Sequence, residues 1–326
     1  MKRYVDMEIQ EFTDLSELKD VDIVHYPWFD FFAHTLPIKK QFKTVVTIHD
    51  VIPLLYPERY PVGLFGRFNF LLQRLALRNC FIITDSEISR IDINRYLHVI
   101  EEKIQVVHLA ANKDFKPLND TKLLFTKRKY NLPSSFILYV GDANWTKNLP
   151  FLIEGFKKLI GIADFKDTKL VFVGGVFLKN VENIDHPELE SLKRVNKLIK
   201  DMNLEQNIMR IGNLSVEDLV AFYNLATVYV QPSLYEGFGL PIIEAFACGT
   251  PVISSNKGSL KEVGRDAAVY FDPTNLDQFV SILREVLQDK SQQNKLSKLG
   301  FEQAKKYSWE KVAKETADVY QYIVEH

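Results

Sequence analysis

The strongest constraint on the fold is a series of short, β-branched apolar runs set between longer amphipathic segments. The runs fall at 21–26, 43–48, 81–84, 104–109, 136–140, 169–174, 207–212, 227–231, 251–255 and 267–271. Their apolarity is nearly continuous rather than alternating, as in strands buried on both faces. Helical periodicity occupies 64–79, 86–99, 149–161, 187–202, 215–225 and 275–288, and Ser215 with Asp218 resembles a capping box. This alternation predicts parallel sheets with helices on both faces. The polar stretch 111–135 separates four strands from six and is expected to be a linker. Two domains follow, 1–125 and 126–307. The segment 308–326, with Val312, Val319 and Ile323 on one side, is expected to be a helix that packs back on the first domain.

Composition narrows the function. Forty-one basic and 42 acidic residues leave a net charge of −1, which points to neither nucleic acid nor an acidic polymer. Cys80 and Cys248 are the two cysteines, too few for a disulfide framework or metal-ligand spacing, so a reducing compartment is expected. The charged N-terminal stretch 1–20 lacks a signal-peptide apolar core. No apolar run approaches the ~20 residues that span a bilayer. The expected location is cytoplasmic, at most peripheral on the inner membrane face.

One segment breaks the apolar pattern. In "TVYVQPSLYEGFGLPIIEAFACGTPVISS" (227–255) two carboxylates, Glu236 and Glu244, interrupt a core-like sequence. The segment parses as strand, loop, helix and strand, with Pro241 in the first helical turn and Gly249 just past the helix end. The loop therefore sits at the carboxyl end of a parallel strand, where doubly wound sheets bind ligands. A helix N-terminus there favours phosphate, and Gly237 and Gly239 let backbone approach a ligand closely. Glu244, placed in the first helical turn, suits a vicinal diol such as a ribose. Taken singly, Glu244 reads as a favourable charge at a helix start and Glu236 as a solvated side chain. Their joint placement in a glycine-rich loop favours a ligand site.

The stretch "EGFGLPIIEAFACGTPV" (236–252) resembles the signature of the retaining family 4 glycosyltransferases, the group 1 glycosyl transferases with the GT-B fold. "YVGDANWTKNLPFLIEGF" (139–156) is similar to the family's strand-turn-helix that places a basic residue on the donor diphosphate. "VTIHDVIPLLYPERY" (46–60) resembles the segment whose histidine faces the donor sugar. The resemblance runs from Asp22 onward, and bacterial polysaccharide and lipid-linked oligosaccharide transferases, including mannosyl ones, share the "HDVIPLLYPE" type of segment.

The resemblance implies two Rossmann-like domains whose parallel sheets face a cleft, and hexosyl transfer from a nucleotide-diphosphate sugar to a hydroxyl of a glycan or lipid-linked acceptor. It implies Lys147 on the diphosphate, Glu236 and His49 at the donor sugar, and Gly237, Phe238, Gly239, Glu244, Asn144 and Arg210 in donor binding. No cofactor or metal is implied; Asp20 and Asp22 fit a short Asp-x-Asp pattern but precede their strand rather than end it. Three departures stand out. Thr146 occupies a position where many members carry Arg, Asp142 follows Gly141, and "DIVHYPWFD" (22–30) arrives early. The first domain is therefore expected to be small, or to be completed by a protein partner. A non-catalytic nucleotide-sugar-binding subunit is the alternative reading.

The helix expected over 64–78 carries Arg67, Arg74 and Arg78 on one narrow face, with Phe65, Phe68, Leu72, Leu75 and Ala76 roughly opposite. Its apolar side is expected to pack on the first sheet and its basic face to meet solvent, or an anionic membrane.

Overall fold

A computed structural model of the protein describes residues 11, 18–181, 184 and 189–326. Most of the charged N-terminal stretch, and positions 187–188 of the helix expected over 187–202, lie outside the described residues. The chain divides into two compact units, Met1–His108 with Trp309–His326, and Leu109–Ser308.

The first unit contains β1 (Ile23–Tyr26), β2 (Lys43–Thr47), α1 (Ile52–Leu55), α2 (Leu64–Ala76), β3 (Cys80–Thr84), α3 (Glu87–Leu97) and β4 (Ile104–Val106). The strands pair in parallel in the order β1-β2-β3-β4. Successive side chains on β2 take opposite faces, as pleating requires. Val46 joins Leu77, Ile82 and Leu97 in one core. Val45 joins Ile83 and Val107 on the other face, where Val319 and Ile323 of the C-terminal helix Trp309–Glu325 cover them. That helix is also held by Tyr320 Oη, 2.5 Å from His25 Nδ1, and by the Lys43 ammonium donating to the Ile323 carbonyl at 2.7 Å.

α2 departs from expectation. Its buried residues are Asn69, Gln73 and Ala76, while Leu64, Phe65, Phe68, Leu71 and Leu75 are exposed. The polar pair wins the inner face because it satisfies irregular backbone beside it. Asn69 Nδ2 donates to the Phe32 carbonyl, and Gln73 Oε1 accepts from the N–H groups of Thr35 and Leu36 at 3.1 and 2.8 Å. A buried backbone donor without a partner costs about 1–3 kcal/mol. Covering these groups fixes which side of the helix turns inward.

The second unit contains α4 (Asp120–Lys129), β5 (Phe136–Val140), α5 (Leu149–Ile160), β6 (Lys169–Val173), α6 (Glu190–Asp201), β7 (Ile208–Ile211) and α7 (Val216–Leu225). Then come β8 (Val228–Gln231), α8 (Leu240–Ala247), β9 (Val252–Ser255), α9 (Leu260–Gly264), β10 (Ala268–Phe271), α10 (Leu276–Gln288) and α11 (Lys290–Ala304); the C-terminal helix is α12. All six strands are parallel, in the order β10-β9-β8-β5-β6-β7. The chain winds outward from β5 through β6 to β7, then returns to β8 on the other side of β5. The strand order thus reverses between β5 and β8, the crevice where doubly wound sheets bind ligands.

The stretch expected as a linker holds a helix. Asn119 caps α4 by accepting from the Lys122 N–H, and Asp218 of α7 accepts from Lys129 Nζ and Tyr130 Oη at 2.7 and 2.9 Å. α11 also went unforeseen; only Gln293, Leu296, Gly300 and Gln303 of its residues are buried, so its apolar periodicity is faint.

Candidate functional site

Two loops border the crevice between β5 and β8. After β5 the chain makes a single 3-10 turn, Trp145–Lys147, before α5. Asn144 organises this turn. Its Oδ1 accepts from Thr146 N–H at 3.0 Å and from the Thr146 hydroxyl, while its Nδ2 donates to Asp142 Oδ2 at 3.1 Å. Thr146 is buried, and its carbonyl accepts from the Leu234 N–H at 2.7 Å, tying this turn to the loop after β8. Asn148 turns the chain into α5 in the left-handed region, at φ 52°.

Lys147 emerges at the end of that turn and meets Glu236. Its Nζ lies 2.9 and 3.0 Å from the two carboxylate oxygens. Glu236 Oε1 also accepts from Gln231 Nε2 at 2.8 Å and Ser233 Oγ at 2.6 Å. The Lys147 and Glu236 side chains are 19% and 12% exposed. So Glu236 is not the solvated side chain of the simplest reading; a cation and two neutral donors fix it. Gln231 is oriented in turn by the Tyr229 hydroxyl, which donates to its Oε1.

The Glu236–Gly239 backbone is clamped by the loop after β9. Ser259 Oγ donates to the carbonyls of Glu236 at 3.0 Å and Phe238 at 2.7 Å, and the Ser259 N–H donates to the Glu236 carbonyl at 3.2 Å. Gly258, at φ +56°, approaches so closely that a Cβ there would lie 2.6 Å from the Glu236 oxygen. The Phe238 ring is buried edge-on to Tyr307. Gly239, at φ +101°, caps α8 in a conformation L side chains avoid.

Glu244 lies one residue beyond the first turn of α8, because the helix starts at Leu240; this corrects its expected place. The Tyr223 hydroxyl donates to Glu244 Oε2 at 2.9 Å. Burial raises the Glu244 pKa above the usual carboxylate value, and the Tyr223 hydrogen bond opposes that rise.

The remaining expected residues stand on other elements. Arg210 stands on edge strand β7 opposite Phe172; burial lowers its pKa and the charge of Glu205 partly restores it. His49 belongs to the first unit. Thr47 pairs with Ile83 across β2 and β3, so two residues on, at the carboxyl ends of those strands, His49 meets Asp85. His49 Nδ1 is 2.7 Å from the buried Asp85 Oδ2. That hydrogen bond raises the His49 pKa; burial opposes it, and the charges of Asp85 and Asp50 add to the rise. Asp20 and Asp22 lie exposed ahead of β1.

Asp85, Gln231, Ser233 and Tyr223 were missed from sequence. A glutamine closing the buried strand "TVYVQ" and an aspartate closing "FIITD" were available signals, since each puts a polar group at a strand's carboxyl end. Nothing in the sequence connects Tyr223 of α7 with Glu244 of α8.

The family described as "Glycosyl transferases group 1" matches residues 120–303. "O-antigen chain mannosyltransferase B" of Escherichia coli is 30% identical over 310 residues, covering 95% of this chain and 76% of that protein. "Serotype-specific mannosyltransferase WbdA" of Escherichia coli is 29% identical over 276 residues, 83% of this chain but 32% of WbdA. Among solved structures, sucrose-phosphate synthase from Thermosynechococcus elongatus superposes with a TM-score of 0.73 at 24% identity, over 87% of this chain and 69% of that one. The fold, two parallel α/β sheets, is that of GT-B glycosyltransferases. The chain belongs to the glycosyl transferases group 1 family.

Proposed function

We propose that the chain is a retaining, metal-independent mannosyltransferase of the family 4 type. It moves the sugar from a nucleoside-diphosphate donor to a hydroxyl of a glycan or lipid-linked acceptor of the O-antigen kind. The observation that carries this reading is the Lys147–Glu236 pair at the reversal of strand order between β5 and β8. The names of the two mannosyltransferase relatives support the choice of sugar.

In the proposed reaction the bond between the anomeric carbon and the diphosphate oxygen breaks, and the leaving diphosphate takes the electron pair. The acceptor oxygen bonds the same face of the sugar, and its proton passes to the departing phosphate. The main demand is for positive charge beside that phosphate. Lys147 supplies it by exchanging a Glu236 contact for a phosphate oxygen, aided by the N-terminal dipole of α8. Glu236, still held by Gln231 and Ser233, takes the donor sugar's hydroxyls and stabilises the cationic sugar. Glu244 takes the ribose. Gly237, Phe238 and Gly239 offer backbone, and the 3-10 turn shaped by Asn144 carries Lys147. Arg210 is assigned to the nucleobase and His49 to the donor sugar.

The test is a thermal-shift screen of nucleotide sugars followed by an assay of nucleotide release, each with and without EDTA. A bound donor at 100 times its Kd adds about 2.7 kcal/mol. A mannosyl donor is expected to stabilise the chain, with EDTA leaving turnover unchanged and proton NMR showing retained anomeric configuration. Stabilisation by no nucleotide sugar, or turnover that only a divalent ion restores, overturns the reading.

A further inference from the structure

α2 turns its apolar side outward. Leu64, Phe65, Phe68, Leu71 and Leu75 are 86, 78, 57, 50 and 43% exposed, respectively. At 3.6 residues per turn they form one continuous ridge, while the buried Asn69, Gln73 and Ala76 form a separate stripe beside it. Scattered exposed leucines need no explanation, but a contiguous ridge of five large apolar side chains marks an interaction surface.

The flank of the ridge shows what it meets. Arg67 and Arg74 lie on one edge of α2, between the ridge and the buried stripe, within an arc of about 20°, and Arg78 follows in the 3-10 turn Leu77–Asn79 after the helix. No aspartate or glutamate occurs from Arg59 to Thr84, a span with four arginines, nor from Phe31 to His49, a span with Lys39, Lys40 and Lys43. The latter span lies against α2 through Gln73 and Asn69, and there Ile38 and Lys39 are also exposed. Among the described residues, no helix is long and apolar enough to cross a membrane. A helix with an apolar ridge, a cationic edge and a polar buried side lies along an interface instead. An antiparallel pairing with a second copy of this chain fits poorly, because that two-fold contact along the ridge brings the arginine row against its own copy.

We propose that α2 docks the protein on an anionic lipid bilayer. Phe65, Phe68, Leu71 and Leu75 enter the boundary between headgroups and acyl chains, and Arg67, Arg74 and Arg78 pair with lipid phosphates. This holds whether or not the acceptor is itself lipid-linked.

Co-sedimentation of the full chain with phosphatidylcholine vesicles, with and without phosphatidylglycerol, tests the proposal at low and high salt. The chain is expected to pellet with the phosphatidylglycerol vesicles and to be released by salt. Replacing Arg67, Arg74 and Arg78 together by Gln should lower the partition coefficient on the order of a hundredfold, since each cation near such a surface contributes about 1 kcal/mol, or about fivefold. Phe68→Ser with Leu71→Ser should abolish pelleting while circular dichroism and donor-dependent nucleotide release in detergent-free buffer stay as in the wild type. The proposal fails if the wild type stays in solution at low salt or pellets equally with phosphatidylcholine alone. It also fails if both variants still pellet, or if the serine variant instead dissolves a dimer seen by size exclusion.

Discussion

The Lys147 ammonium lies within 3.0 Å of both carboxylate oxygens of Glu236, and the two residues come from loops that the strand order of the second sheet sets side by side. Without a donor, each neutralises the other in a largely buried place. In the proposed reaction the same two groups would meet the donor's diphosphate and sugar. The pair holds two oppositely charged groups in fixed positions, as electrostatic preorganisation of the proposed site requires.

Removing either partner is expected to be costly in two measurable ways. Lys147→Ala and Glu236→Ala should each lower kcat by on the order of 100- to 1000-fold, the loss typical of one preorganised charge partner. Each should also destabilise the fold, because a largely buried charge loses its counterion; a fully buried pair loses about 3–5 kcal/mol this way, and the residual exposure here makes the loss smaller. The double variant should be less destabilised than the sum of the two. Denaturant titration and initial rates check both points. Wild-type turnover in either single variant removes that residue from the reaction.

Gly258→Ala tests the clamp on the loop that carries Glu236. At φ +56° an alanine is strained, and its Cβ would meet Glu236 backbone atoms at 2.6 and 2.8 Å. Strain of this kind costs about 1–3 kcal/mol, and the displaced carbonyl would loosen the Ser259 hydrogen bonds. The melting temperature and kcat should fall together. An alanine variant with unchanged melting and rate would show that the loop yields freely.

The layers of the fold were legible because β-branched apolar runs at regular intervals leave little choice but parallel strands. The glutamate loop was legible because buried carboxylates between glycines have few structural uses. The orientation of α2 was not. Periodicity located the polar and apolar sides, but the inner side was decided by Asn69 and Gln73 bonding to backbone at Phe32, Thr35 and Leu36, a tertiary matter invisible along one helix. α4 hid in a polar stretch because ion pairs such as Lys129–Asp218, rather than an apolar stripe, hold it down. Asp85 was hidden for another reason: its nearness to His49 depends on strand register, which no single segment states.

Glu244→Gln separates binding from chemistry. The proposed contact with ribose is remote from the breaking bond, so KM should rise while kcat stays nearly constant. Stability should move the other way. Burial raises the Glu244 pKa above the usual carboxylate value, so the fold favours the protonated carboxyl. Its contribution is fully present below the unfolded-state pKa and is lost as pH rises through the folded pKa. At neutral pH the neutral amide avoids this loss and should melt no lower than the wild type, with a flatter dependence on pH from acid to neutral. A fall in kcat with unchanged KM would move Glu244 to the reacting centre.

Asp85→Asn probes how His49 is set. The hydrogen bond to Asp85 raises the histidine pKa above 6.5 against the opposing effect of burial. The protonated pair therefore contributes stability that is complete below the unfolded pKa and disappears as pH rises through the folded one. The amide keeps the shape but removes the charge, so His49 should titrate at lower pH, and the loss of melting temperature from mildly acid to alkaline pH should shrink. Nδ1 is engaged by Asp85, which leaves Nε2 as the nitrogen to meet a ligand, a donor only while the ring is protonated or in the Nε2–H tautomer. The acid-favoured limb of the rate profile should move down with the His49 pKa, as followed by proton NMR of the imidazole. If that resonance titrates identically in wild type and variant, Asp85 does not set the charge of His49, and its role is confined to holding the ring in place.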